Sequence, residues 1–155
     1  MNRKKQTSMG ESRTETTPAK PNHILLAEDD KEMRAMLAFG LRKDGYEVTE
    51  CINGVDLFTH LEPYFLPNGI GQTDVALIIS DIRMPGITGM EILEGASRKK
   101  GFPPMILITA FGDEKTHALA DELGVAAMFD KPFDMDDLLA KVRGLLQKDE
   151  KSRLK

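Results

Sequence analysis

The feature that most constrains this chain is an apolar run that stops abruptly at a carboxylate: Ile78-Ile79-Ser80-Asp81-Ile82-Arg83-Met84-Pro85-Gly86. A strand lying on a surface alternates apolar and polar residues, whereas one buried on both faces is apolar throughout, as in a parallel sheet sandwiched between helices. The Pro-Gly turn that follows places Asp81 where such a strand surfaces into a loop. In open α/β sheets that edge, outside the carboxyl ends of the strands, is where sites are built. Asp81 is therefore a candidate nucleophile that accepts a phosphoryl group.

The rest of the chain repeats the pattern. The first apolar strand is expected over 23–27, and it meets Glu28-Asp29-Asp30. Met33, Met36, Leu37, Gly40 and Leu41 then follow at helical spacing, with Asp30 as N-cap. Gly45 closes this helix, and a second strand is expected over 46–51. A helix through Val55, Leu57, Phe58 and Leu61 leads into a connection over 63–73, long for its type, before the strand at 75–80. Thr88 caps a helix carrying Met90, Ile92, Leu93 and Ala96 that is expected to end near Gly101. A strand at 105–109, a helix capped by Asp113 through Leu119 and Leu123, a strand at 125–129 and a last helix capped by Asp134 complete the order. The last helix carries Leu138, Leu139, Val142, Leu145 and Leu146 on its apolar face, and Asp137 resembles the third residue of a capping box. Five strands alternating with five helices predict a doubly wound parallel sheet with helices on both faces.

At 155 residues there is room for one domain and tails. Five basic against two acidic residues give residues 1–21 a net charge of +3, read as a disordered basic tail, so the remainder carries −7 of the chain's −4. An acidic body argues against direct nucleic-acid binding, which requires a basic stripe. No apolar run approaches the roughly 20 residues that cross a bilayer, and because no apolar stretch follows the basic residues at the start, a secretory signal is not expected. The single cysteine, Cys51, suits a reducing cytoplasm. The stretch 149–155 reads as a charged end or the start of a linker, so the chain is either a single-domain regulator or a piece of a longer one.

The strand ends hold the chemistry: Glu28 and Asp29 after strand one, Asp81 after strand three, Thr109 after strand four, and Lys131-Pro132 after strand five. Two carboxylates about 4 Å apart repel by roughly 4 kcal/mol at an effective dielectric near 20. Three together hold a proton or recruit a cation, and an open all-oxygen site favours Mg²⁺. Glu28, Asp29 and Asp81 would be balanced by Mg²⁺ and Lys131.

These segments carry a resemblance. Ile24-Leu25-Leu26-Ala27-Glu28-Asp29-Asp30, Asp81-Ile82-Arg83-Met84-Pro85-Gly86-Ile87-Thr88-Gly89, Ile108-Thr109-Ala110-Phe111-Gly112 and Asp130-Lys131-Pro132-Phe133 are similar to the receiver domains of two-component response regulators, over residues 22–148. The likeness is to single-domain receivers of the chemotaxis-regulator type, and it implies a flavodoxin-like fold of five strands and five helices with strand order 2-1-3-4-5. It implies that Asp81 accepts phosphate from a sensor histidine kinase or a histidine phosphotransfer protein. It also implies that Glu28, Asp29, Asp81 and the Arg83 backbone carbonyl hold Mg²⁺, with Asp29 the more direct ligand and Glu28 acting largely through water. Thr109 and Lys131 would stabilise the phosphoryl group, Thr109 as the switch hydroxyl, and the Lys131-Pro132 bond is expected to be cis. The output implied is altered binding of a downstream protein through the strand-four to helix-five face, as a monomer or a phosphorylation-linked dimer. One position departs from the pattern: Met128 stands where the family usually has an aromatic switch residue, and a thioether cannot reproduce a tyrosine hydroxyl.

Two other functions compete. A haloacid-dehalogenase-type phosphohydrolase also uses an Asp nucleophile with magnesium, but it wants a second Asp where Arg83 stands. A receiver-like binding module that is never phosphorylated would not need the acidic pair, Asp81, Thr109 and Lys131 together.

Overall fold

The computed structural model of the chain describes residues 22–66 and 74–154. The expected tail over 1–21 and the part of the long connection over 67–73 lie outside the described residues. The elements are β1 (His23–Ala27), α1 (Lys31–Lys43), β2 (Glu47–Cys51), α2 (Gly54–Leu61), a 3-10 helix (Glu62–Phe65), β3 (Val75–Asp81), α3 (Gly89–Ala96), β4 (Met105–Thr109), α4 (Glu114–Glu122), β5 (Ala127–Asp130) and α5 (Met135–Leu154). All strands pair in parallel, in the order β2-β1-β3-β4-β5.

The apolar runs become central strands because alternate side chains feed two different cores. Ile24, Leu26, Leu77, Ile79, Ile106 and Ile108 face Leu37, Ala38 and Leu41 of α1 and Leu138, Val142 and Leu146 of α5. Leu25, Ala27, Ile78, Met105 and Leu107 face Leu57 and Leu61 of α2, Ile92, Leu93 and Ala96 of α3, and Ala120 of α4. Each fully buried Leu or Ile contributes roughly 1.5–3 kcal/mol relative to leaving it exposed, so both layers are tied to the same three inner strands.

Caps define where the helices start. Asp30, Asn53 and Asp113 each accept a hydrogen bond from the amide three residues on. Thr88 forms a reciprocal capping box with Glu91. The Asp134 carboxylate accepts from the Asp136 amide at the start of α5.

The structure corrects several sequence expectations. The third helix stops at Ala96 with Ser97 as C-cap, short of Gly101, which instead sits in a turn at φ 76°. Strand β5 begins at Ala127, two residues later than expected, because Val125 still hydrogen-bonds to Ala120 in the exit turn of α4. The long connection starts as a 3-10 turn through Pro63, Tyr64 and Phe65. There Phe65 stacks on Phe58 at 5.3 Å and meets Phe102 at 5.5 Å, closing the amino-terminal end of the second core. On α1 the buried stripe shifts to Leu37, Ala38 and Leu41, leaving Met36 half-exposed, while on α2 and α4 the expected core residues Val55 and Leu119 face outward.

Candidate functional site

The strand order reverses at β1, whose neighbours are β2 on one side and β3 on the other, so the carboxyl ends of β1 and β3 form the crevice of the doubly wound fold. Asp81 is the last residue of β3 and 6% exposed. Glu28 follows β1 directly and is 1% exposed. Asp29, next in the chain, is exposed. Carboxylate oxygens of Glu28, Asp29 and Asp81 all lie within 4.8 Å of one another.

One ammonium bridges the two buried members of this cluster, Glu28 and Asp81. Lys131 Nζ donates to Asp81 Oδ2 at 2.7 Å and to Glu28 Oε1 at 3.0 Å. Its own position is set by its backbone amide, which donates to the Thr109 carbonyl at 2.7 Å, and the Lys131-Pro132 bond is cis. Burial opposes the charge on Lys131, but its hydrogen bonds to Asp81 and Glu28 and their negative charges outweigh it and hold the amine above its ordinary value. Glu28 is raised above the usual carboxylate range: burial dominates, the Asp30 amide and Lys131 oppose it, and the negative charge of Asp81 adds to the rise. One lysine leaves three converging carboxylates short of balance, and the acid removed furthest from water feels the deficit.

The walls of the site are backbone. The Arg83 amide donates to Asp81 Oδ1 at 3.0 Å, so both oxygens of Asp81 are engaged. Gly89 opens α3 beneath Asp81, where a Cβ would lie 2.6 Å from the Asp81 carbonyl oxygen. Gly54 opens α2 directly against the Ile87 carbonyl, which leaves no room for any side chain.

Thr109 ends β4, one position beyond Ile108, the register partner of Asp81. It is 1% exposed, and its hydroxyl accepts from the Phe111 amide at 3.1 Å. The structure thus brings Glu28, Asp29, Asp81 and Lys131 into one cluster and sets Thr109 at its border, with the hydroxyl engaged by the adjoining loop. Met128 is partly buried in the second core, opposite Leu107 in the sheet register. Two neighbours escaped the sequence reading. The Arg83 guanidinium stands 5.0 Å over the ring of Phe111, bridging the β3–α3 and β4–α4 loops. Arg34, on α1, donates to the Glu28 carbonyl at 2.7 Å. The only sequence signal for the second was a basic residue one helical turn past the acidic trio, a weak one.

The donor set fits a hard divalent cation: three carboxylates, oxygen only, converging beside one amine that leaves net negative charge. Glu28, Asp29 and Asp81 are the residues that would hold it. Among the described residues, no helix is long and apolar enough to cross a membrane.

Comparison with known proteins agrees with this fold. The family model for the response regulator receiver domain matches residues 24–143. The transcriptional regulatory protein FixJ of Azorhizobium caulinodans is 33% identical over 126 residues, 81% of this chain and 54% of the relative. FixJ of Bradyrhizobium diazoefficiens is 29% identical and is covered over 58% of its length, so the chain spans a little over half of these relatives. Among solved structures, the CheY-like receiver domain protein of Methanospirillum hungatei superposes with a TM-score of 0.74 at 24% identity, covering 86% of this chain and 99% of that one. The non-phosphorylated receiver domain of HemR from Leptospira biflexa superposes at 0.65 with 27% identity, covering 82% and 94%. Fold, crevice and sequence lead to one conclusion: the chain belongs to the receiver domains of two-component response regulators.

Proposed function

We propose that the chain is a phosphorylation-dependent signalling switch, with Asp81 accepting a phosphoryl group from a phosphohistidine of a sensor kinase or phosphotransfer protein. The observation that carries this reading is the Lys131 ammonium bridging Glu28 and Asp81 at the reversal point of the sheet. In the transfer, an Asp81 carboxylate oxygen bonds to phosphorus as the phosphorus–nitrogen bond to the donor imidazole breaks, leaving an acyl phosphate on Asp81 and a free histidine on the donor. Lys131 stands ready to pair with the new phosphoryl oxygens, and preorganised charge of this kind needs no rearrangement during transfer. Mg²⁺, held by Glu28, Asp29, Asp81 and the Arg83 carbonyl, would supply Lewis-acid neutralisation of the phosphoryl charge. The Thr109 hydroxyl exchanges the Phe111 amide for the phosphoryl group and so moves the β4–α4 loop. Output follows as a population shift on the β4–α5 face, toward a state that binds a downstream protein. The receiver unit spans 22–148, and a cytoplasmic setting, where the kinase's phosphohistidine would be met, goes with this reading. So does an identity as a signalling protein that catalyses only its own phosphorylation and slow dephosphorylation.

Incubation with acetyl phosphate and Mg²⁺ followed by intact mass tests the reading. One added phosphoryl mass that disappears in Asp81→Asn supports it. An unmodified protein would leave the binding-module reading. Continuous turnover of a phosphate ester would favour the hydrolase, against which the Arg83 side chain stands, committed to Phe111 rather than offering an acid.

A further inference from the structure

We infer that Arg34 is a positioning residue that aims the acidic pair, an inference resting on the receiver reading above. Glu28 and Asp29 sit on a turn between β1 and α1, and their side chains are held very unequally. Glu28 accepts from the Asp30 amide at 3.1 Å and from Lys131 at 3.0 Å. Asp29 is exposed, and among the described residues no donor holds its carboxylate. The direction of its Cα–Cβ bond is set by the backbone of the turn. Arg34 grips that backbone. From the second turn of α1 it reaches back six residues, and its guanidinium donates to the Glu28 carbonyl at 2.7 Å, the shorter end of the range for such bonds.

The guanidinium is itself braced. Its Nε lies 3.5 Å from Glu50 on β2, and Glu50 is held in turn by Arg42 at 3.0 Å. Arg42 also donates to the Val48 carbonyl, anchoring the pair to the edge strand. Arg34 is 13% exposed at its side chain, so the grip on Glu28 is mostly shielded from water. A partly exposed ion pair at 3.5 Å adds little to stability. What the arrangement does supply is orientation: the peptide joining Glu28 to Asp29 carries the Glu28 carbonyl, so fixing that oxygen fixes the plane from which the Asp29 side chain projects. Partners behind a metal's own ligands commonly tune its affinity in this way.

Mg²⁺ titration of the unphosphorylated full chain by calorimetry is the test, with NMR of the Mg²⁺-free protein as second readout. Arg34→Ala is expected to bind Mg²⁺ about 10-fold more weakly, to broaden the Glu28 and Asp29 amide signals, and to recover near wild-type phosphorylation by acetyl phosphate once Mg²⁺ saturates. Arg34→Lys keeps a donor for the carbonyl without the fork for Glu50 and should regain part of the affinity. Glu50→Gln should lose less than Arg34→Ala. Unchanged Mg²⁺ affinity in Arg34→Ala, or a rate defect that saturating Mg²⁺ leaves in place, would overturn the assignment. If Arg34→Ala fails to fold, Arg34→Met keeps the aliphatic stem without a donor: weaker Mg²⁺ binding with broadened Glu28 and Asp29 amides supports the assignment, and wild-type affinity and signals contradict it. A wild-type chain that takes up no Mg²⁺ brings down the receiver reading as well, which separates the two failures.

Discussion

The acidic mouth and the adjoining β4–α4–β5 face meet at Thr109 and Lys131, yet they are built by opposite rules. In the mouth, Glu28 and Asp81 are almost fully buried, their carboxylates are bridged by one shared ammonium, and Gly54 and Gly89 let backbone pack on backbone. Across the border, β5 contains no fully buried residue, α4 buries only Ala120, and Leu119 and Phe111 stand 44% and 68% exposed. Transfer chemistry needs charges fixed in advance, and that costs burial and close packing. A surface that is to change partners needs the reverse, a segment with few apolar anchors and low local stability. Burial falls off from β4, whose five residues are all buried, to β5, which has none, and the proposed division of labour would follow that gradient.

Breaking the mouth should have the largest effect. Lys131→Ala removes the cation that, among the described residues, alone pairs with both Glu28 and Asp81, and is expected to slow phosphorylation by acetyl phosphate about 100-fold, the scale of losing one preorganised donor. Quench-flow mass measurement checks this, and a rate close to wild type would mean the ammonium is only structural. Next comes stability. Leu77→Ala, in the fully buried centre of β3, should cost about 2–5 kcal/mol in urea melts, whereas Leu119→Ala on α4 should stay within about 0.5 kcal/mol. Equal losses would erase the contrast. The smallest effect is expected at Met128. Met128→Tyr restores an aromatic ring on the outer side of the border and should leave the rate of phosphoryl uptake unchanged, while altering the phosphorylation-dependent shifts of α4 amides in NMR. A change in uptake with no change in α4 would reverse the assignment of the two regions.

Legibility in the sequence followed the same gradient. The strands β1, β3 and β4 were readable because they are apolar on both faces, so composition and burial coincide. Glu28, Asp29, Asp81, Thr109 and Lys131 were readable because each stands where such a run ends or just past the last strand. The weaker elements were misjudged for physical reasons. Val125 is apolar but remains in the exit turn of α4, and Leu119 has the spacing of a core residue on a helix that buries little. The 3-10 turn at Glu62–Phe65 is organised by aromatic contacts with Phe58 and Phe102, and long-range contacts leave no periodic trace. Arg34 leaves only a weak trace for the same reason, since its partner at the site is a backbone carbonyl and every residue has one.

The claim on which the rest depends is that the acyl phosphate forms on Asp81 itself. Borohydride reduction after incubation with acetyl phosphate and Mg²⁺ converts a phosphorylated aspartate to homoserine, and peptide mass mapping then locates it. The account predicts homoserine at position 81 alone, dependent on Mg²⁺. Homoserine at Asp29 or at another carboxylate, with Asp81 untouched, would contradict it.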